Sequence, residues 1–248
     1  MKMRKNKAFT LAETLVVMGI IGVVAALTIP NLSASTGNKE NVARVQKAYS
    51  TINEAFERTQ AEYGNLKRWR WADGWNGNDD TDFFANRLLE SLKITKNCGR
   101  TANLGCFSSS VKYLNGDGAP GDSTTDMYKT ILADGSSLGI MVASGVISFY
   151  VDIDGPKKGP ATFGKDIFDF YISNGGISGE KYKLLSDSSN LMENTSVSSS
   201  AWTSAFKYGS GLATWILQTG NMDYLKATNG VCQKGGKTLT LSGNTTCR

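Results

Sequence analysis

From Leu11 to Ile29 the sequence is almost wholly apolar, and the single carboxylate in that run, Glu13, stands at its head. Taken from Phe9 to Ile29, the run predicts a helix about 31 Å long, roughly the thickness of a bilayer's hydrocarbon core. Beyond Pro30 a short polar stretch, Ser33 to Asn38, gives way to a second helical pattern carried by Val42, Val45, Tyr49, Ile52, Phe56 and Tyr63. Spacings of three, four and seven residues put these on one stripe, while Lys39, Glu40, Arg44, Lys47, Glu54 and Arg58 fall mostly elsewhere. The stripe is too short and too aromatic for a free coiled coil, so it predicts an amphipathic helix docked on a core. A further helical pattern covers Thr81 to Leu92, with Asp80 or Thr81 as N-cap, and is over by Cys98.

From Met127 the period changes to two. Met127–Leu132, Ser136–Ala143 and Val146–Ile153 read as strands separated by turns at Ala133-Asp134-Gly135 and Ser144-Gly145, an antiparallel meander. A fourth strand, Ile167–Ile172, follows a Gly/Pro-rich loop. Leu212 to Leu217 predict a short late helix, and Ser186 to Ser204, rich in serine, a long loop. One long helix followed by an antiparallel sheet that receives its stripe is an α+β layout.

Composition changes this picture in two places. The net charge of +5 concentrates in Lys2, Arg4, Lys5 and Lys7; removing those four from the 27 bases leaves 23 against 22 acids. The basicity is therefore a targeting feature, placing the N-terminus on the cytoplasmic side and the bulk of the chain across the membrane, and it gives little support for nucleic-acid binding. The sequence holds no histidine, which removes Ser-His-Asp, Cys-His and His-zinc chemistry together. Its four cysteines allow three pairings. Cys98 with Cys106 and Cys232 with Cys247 is the expected set, because short loops close readily, with free buried thiols as the alternative.

Three readings compete for the N-terminal segment. An ordinary secretory signal would use Leu15 to Leu27 and a cut near Ser33-Ala34-Ser35, but a carboxylate beside the apolar region is a poor feature for it. A plain anchor would let Glu13 snorkel to the headgroups. The third reading rests on Lys7-Ala8-Phe9-Thr10-Leu11-Ala12-Glu13, which resembles the class III leader of type IV pilins and type II secretion pseudopilins. That resemblance implies cleavage between Ala8 and Phe9 by a prepilin peptidase, N-methylation of Phe9, and pairing of Glu13 with the N-terminal amine of a neighbouring subunit as the helices pack into a filament. Ala8 stands where the family more often has Gly. Pro30 resembles the proline near the end of the family's apolar stretch, where it can kink or locally melt the helix.

The resemblance further implies a ladle: leader 1–8, transmembrane and assembly helix 9–30, amphipathic helix 31–62, and a head 63–248 with its sheet at about 127–172 and a Cys-bounded C-terminal loop. It makes the chain a structural subunit rather than an enzyme. The partners are other pilin-like subunits and the inner-membrane assembly platform; the subunit sits in the inner membrane before it joins a periplasmic or extracellular filament. The large head favours a pilus over a secretion pseudopilus. Ser148 to Phe170 also resembles the end of the sheet in pilin-like proteins, some of which hold calcium there, so Asp152, Asp154 and Asp166 are candidate ligands for a structural calcium, the one cofactor considered. A two-carboxylate turn with glycine is more often an ordinary turn. Asn115, Asp117 and Asp122 form a second such loop. Lys67-Arg68-Trp69-Arg70-Trp71, with Trp75, interleaves cations and aromatics as strand- or sugar-binding surfaces do, although burial of the tryptophans against the head is the favoured reading. A membrane-anchored or secreted receptor for DNA or glycan that does not polymerise is the competing class.

Overall fold

The structure is a computed structural model that describes residues 11–156, 159–173, 199–241 and 243–247, without side chains at 27–36, 173, 199–201 and 203. Leu11–Tyr63 form one helix, α1. The polar stretch Ser33 to Asn38 is thus a change of surface and not a break, and the helix also runs on through Pro30. A proline withholds its own N–H and its ring crowds the carbonyl four residues back, yet the helix persists because the turns on either side propagate it. The chain divides into two compact units at the middle of α1, residues 1–40 and 41–248.

In the second unit, Val42, Val45, Ile52 and Phe56 of α1 are buried, as the stripe predicts, whereas Tyr63 at its end is exposed. α2 is Asn78–Glu90, three residues earlier than expected, and its N-cap is Gly77 rather than Asp80 or Thr81. The Asp80 carboxylate turns back instead. It accepts from the backbone N–H groups of Ala72 (2.5 Å), Asp73 (3.3 Å) and Asn76 (2.9 Å), fixing the turn that precedes the helix.

The chain continues through β1 (Ile94–Gly99), β2 (Val111–Lys112), β3 (Gly118–Ala119), β4 (Tyr128–Leu132), β5 (Ser137–Ala143), β6 (Val146–Asp152), β7 (Ala161–Thr162) and β8 (Ile167–Ser173). α3 (Ser199–Tyr208), α4 (Leu212–Thr219) and the hairpin β9 (Ala227–Thr228) with β10 (Val231–Cys232) follow. The main sheet has the order β1-β4-β5-β6-β8 and is antiparallel throughout. The predicted meander is there, with two corrections. β1 adds a strand where the sequence reading had only the end of a helix at Cys98, and Ser199–Tyr208 is helical where a loop to Ser204 was expected; Ser186 to Ser198 lie outside the described residues.

Alternation sorts the sheet into two faces. Leu138, Ile140, Val142, Ile147, Phe149, Val151, Phe168, Phe170 and Ile172 point to α1 and α2, with Phe149 edge-on to Phe84 at 5.9 Å and Phe170 beside Tyr49 at 5.7 Å. Each fully buried large apolar side chain contributes about 1.5–3 kcal/mol. The opposite face is not left to water. It carries a polar cross-strand row, Lys129, Gly139, Tyr150 and Asp169, covered by Phe107, Val111, Met127 and Phe163. At Gly139 a Cβ would lie 2.1 Å from the Met127 sulfur, so any larger residue there would have to displace the Met127 side chain.

Candidate assembly segment and polar sites of the head

In the first unit, α1 presents apolar side chains in every direction. Leu11, Leu15, Val16, Val17, Met18, Ile20, Ile21, Val23 and Val24 are all more than half exposed. A helix without a polar face has no preferred side for a soluble core and needs apolar surroundings all round. Glu13 lies in its first turn. Thr14 beside it returns its hydroxyl to the Leu11 carbonyl at 2.9 Å, so the carboxylate is the one ionisable group along Leu11 to Val24. Ala8 and Phe9 lie outside the described residues. Among the described residues no helix is long and apolar enough to cross a membrane; the stretch read as a span, Phe9 to Ile29, begins and ends beyond those whose side chains are described.

The predicted disulfides are both formed, Cys98–Cys106 and Cys232–Cys247, and no cysteine is free. The three candidate calcium ligands are drawn in different directions. Asp152 is fully buried and accepts from the Ser108 hydroxyl at 2.6 Å; Asp154 pairs with Arg44 of α1 at 3.3 Å; Asp166 accepts from the Thr162 N–H at 3.0 Å. Among the described residues no three acidic or cysteine side chains are placed to hold a metal ion, and this arrangement does not fit a shared cation. Arg44 also donates to the Ile153 carbonyl at 2.9 Å, and Lys47 meets Asp134 at 2.8 Å, so these acids pin the docked half of α1 to the sheet's turns.

The second acidic loop is split in the same way. Asn115 and Asp117 close a turn on each other, while Asp122 is buried and accepts from the N–H groups of Gly105 (2.6 Å) and Phe107 (3.1 Å) inside and beside the first disulfide loop. Lys129, buried in the middle of β4, donates to the carbonyls of Asp122 (2.7 Å) and Thr124 (2.6 Å), and burial lowers its pKa.

The tryptophans take the burial reading. Trp69 and Trp75 are buried and Trp71 half-buried, stacked in one cluster with Phe83 and Phe84, and Arg87 lies 5.3 Å from the Trp69 ring. Trp69 and Trp75 are thus part of the core and not a row of exposed rings. Lys67, Arg68 and Arg70 stay exposed.

Sequence reasoning missed a buried polar network at Asp169 on β8. Its buried carboxylate accepts from the Tyr171 hydroxyl (2.5 Å), the Ser210 hydroxyl and the Gly211 N–H (2.8 Å), joining the sheet to the corner between α3 and α4. That corner needs glycine: a Cβ on Gly209, whose φ is +85°, would meet the Phe163 carbonyl oxygen at 2.2 Å. Burial raises the Asp169 pKa, partly offset by those three donors, and burial likewise raises Asp152. Tyr150 is pushed up to about 12 by burial and by Asp169; burial also raises Tyr171 and Tyr224.

These tyrosines predict an alkaline transition. Unfolded tyrosines ionise near 10 while the folded ones stay neutral, so their contribution is whole below pH 10 and is lost as pH rises toward the folded values. With three such groups the loss is about 4 kcal/mol per pH unit. Cooperative unfolding is expected at about pH 11–12 by tryptophan fluorescence, and Tyr224→Phe should make the slope shallower. Phenolate absorbance following a free-tyrosine curve in a still-folded protein would contradict this.

Comparison with known families assigns the two parts of the chain separately. The model of the prokaryotic N-terminal methylation motif matches residues 3–29, and the model of a family of unknown function, DUF6613, matches residues 31–184. No curated protein and no solved structure matches the chain.

Proposed function

The chain belongs to the DUF6613 family and carries the class III leader of type IV pilins and pseudopilins, and from this premise we propose that it is cut between Ala8 and Phe9 and polymerised through α1. The observation that carries the reading is the methylation motif over residues 3–29, continuous with a helix whose described apolar residues are exposed all round. Such a helix is stable in a membrane before assembly and among other such helices afterwards. The Lys/Arg cluster before it holds the N-terminus inside, where a prepilin peptidase reaches the Ala8–Phe9 bond.

Cleavage creates a cationic counter-charge for Glu13. The new α-amine of Phe9 lies four residues away along the same face, and in a packed filament the carboxylate meets that amine on a neighbouring subunit. N-methylation keeps the charge. A misaligned copy leaves Glu13 buried and unpaired, so the pair selects register. The head supplies lateral contacts and the surface, held by its two disulfides, and its size favours a pilus over a secretion pseudopilus. The role is structural.

N-terminal peptide mass spectrometry on protein from the native cell tests the cut. N-methylated Phe9 is expected as the first residue. A start near Thr36 would indicate an ordinary secretory signal, and an intact Met1 a plain anchor; either result overturns the proposal.

A further inference from the structure

Under the second apolar layer of the sheet lies a hydroxyl with no protein partner. The Ser137 Oγ is fully buried, and among the described residues it is the one buried side-chain nitrogen or oxygen without a hydrogen bond. An unpaired buried hydroxyl is costly enough that native folds rarely keep one, so such an atom points to a bound molecule.

Its place in the sheet names the neighbour. Ser137 stands directly opposite Asp152 across β5 and β6, and alternation sends both side chains to the face of Gly139 and Tyr150. Opposed residues have Cβ atoms about 4.5–5.5 Å apart. No hydrogen bond joins this hydroxyl to the carboxylate, which leaves a span of the length that one water bridges.

The Asp152 carboxylate has room for a further donor. Its Oδ2 accepts from the Ser108 hydroxyl at 2.6 Å and its Oδ1 from the Asp154 N–H only at 3.3 Å, whereas an ionised carboxylate offers about four acceptor sites. Burial raises its pKa, as do Asp166 and Asp154 by repulsion, and the cation at that turn, Arg44, is held by Asp154. Among the described residues no three acids converge on a metal ion. The ligand has to accept from a hydroxyl and donate to a carboxylate in a small buried space, and water does both.

We infer that Ser137 and Asp152 hold one ordered water between them, which accepts from the Ser137 hydroxyl and donates to Oδ1 of Asp152. Through Asp152 and Ser108 this water ties β5 and β6 to the loop that closes over the second face. The Ser108 carbonyl in turn accepts from the Asp122 N–H at 2.9 Å, and the Asp122 carbonyl accepts from Lys129. The site lies within the head and does not depend on polymerisation.

The test compares the wild type with Ser137→Ala, each as the full chain in detergent, by water–amide NOE spectroscopy at residues 137 and 152 and by urea denaturation. A long-lived water is expected at both amides in the wild type and absent from the variant, whose folding constant falls roughly fivefold. A raised or unchanged urea midpoint would mean that the hydroxyl has no partner and that its removal relieves the fold. A lowered midpoint with no water signal in the wild type would mean that Ser137 bonds directly to protein. Either result overturns the assignment, and the wild-type signal decides it even if the variant does not fold.

Discussion

Glu13→Ala is expected to be inserted, cut before Phe9 and methylated as in the wild type, yet to yield almost no filaments. The leader is read before the apolar helix is packed, and alanine is tolerated everywhere in such a helix. What the variant loses is the only ionisable group along Leu11 to Val24, where the surrounding side chains are apolar and exposed for contact. In the filament interior that leaves the Phe9 amine of each neighbour without its counter-charge. Breaking a buried pair by removing one partner costs about 3 kcal/mol or more, which lowers the association constant at each addition by roughly 100-fold. Every subunit repeats the loss. Glu13→Gln should also assemble poorly, since it keeps the shape and a hydrogen bond but leaves the amine uncompensated. Electron microscopy of sheared surface fractions, alongside N-terminal mass spectrometry of the membrane fraction, separates assembly from processing. Normal filaments from Glu13→Ala would remove the register argument while leaving the leader intact.

The parts of this protein that could be read from sequence are those whose signal is local. The leader and Glu13 lie within seven consecutive residues, Lys7 to Glu13. Strands β4 to β6 and β8 lie within a residue or so of their expected bounds because they are long alternating runs between Gly-containing turns. β1 was missed because Thr95, Lys96 and Asn97 are polar and exposed, and only pairing with Ile131 and Thr130 makes an edge strand of them. The start of α2 was misplaced for a related reason. Asp80 has the chemistry of an N-cap, but its carboxylate serves the turn before the helix, a choice decided by where that turn is held: Asn76 accepts from the Ser144 N–H and Gly77 donates to the Val142 carbonyl.

The head's polar sites were hardest to read, because their partners are far apart in sequence. Asp152 reaches Ser108, Asp169 reaches Ser210, and Lys129 is filled by carbonyls that carry no residue-specific signal. Asp169 lies between Phe168 and Phe170, so alternation along β8 turns it away from the face that receives α1. Outward on one face of this sheet is inward on the other, since a second apolar layer covers it.

That second layer makes Asp169→Ala the most damaging single change expected in the head. Truncation leaves the Tyr171 hydroxyl and the Gly211 N–H, both buried, and the part-buried Ser210 hydroxyl without their common acceptor. Each unsatisfied buried group costs about 1–3 kcal/mol, and although Tyr171 and Ser210, 3.3 Å apart, can partly satisfy each other, a net loss of about 3–4 kcal/mol is expected. Against the small stability of a folded domain that is a large fraction. Asp169→Asn keeps one acceptor oxygen and should cost about 1–2 kcal/mol. The two substitutions also differ from the wild type in pH dependence. Burial raises the folded-state pKa of Asp169 above its unfolded value, so its protonated form favours the fold at low pH and this contribution is lost as pH rises through the folded value. Asparagine does not ionise, and its stability should lack that step. Urea denaturation of the full chain in detergent, at several pH values from 4 to 8, measures both effects. An Asp169→Ala midpoint indistinguishable from wild type would mean that the α3–α4 corner finds other acceptors and that the carboxylate does not hold it to the sheet.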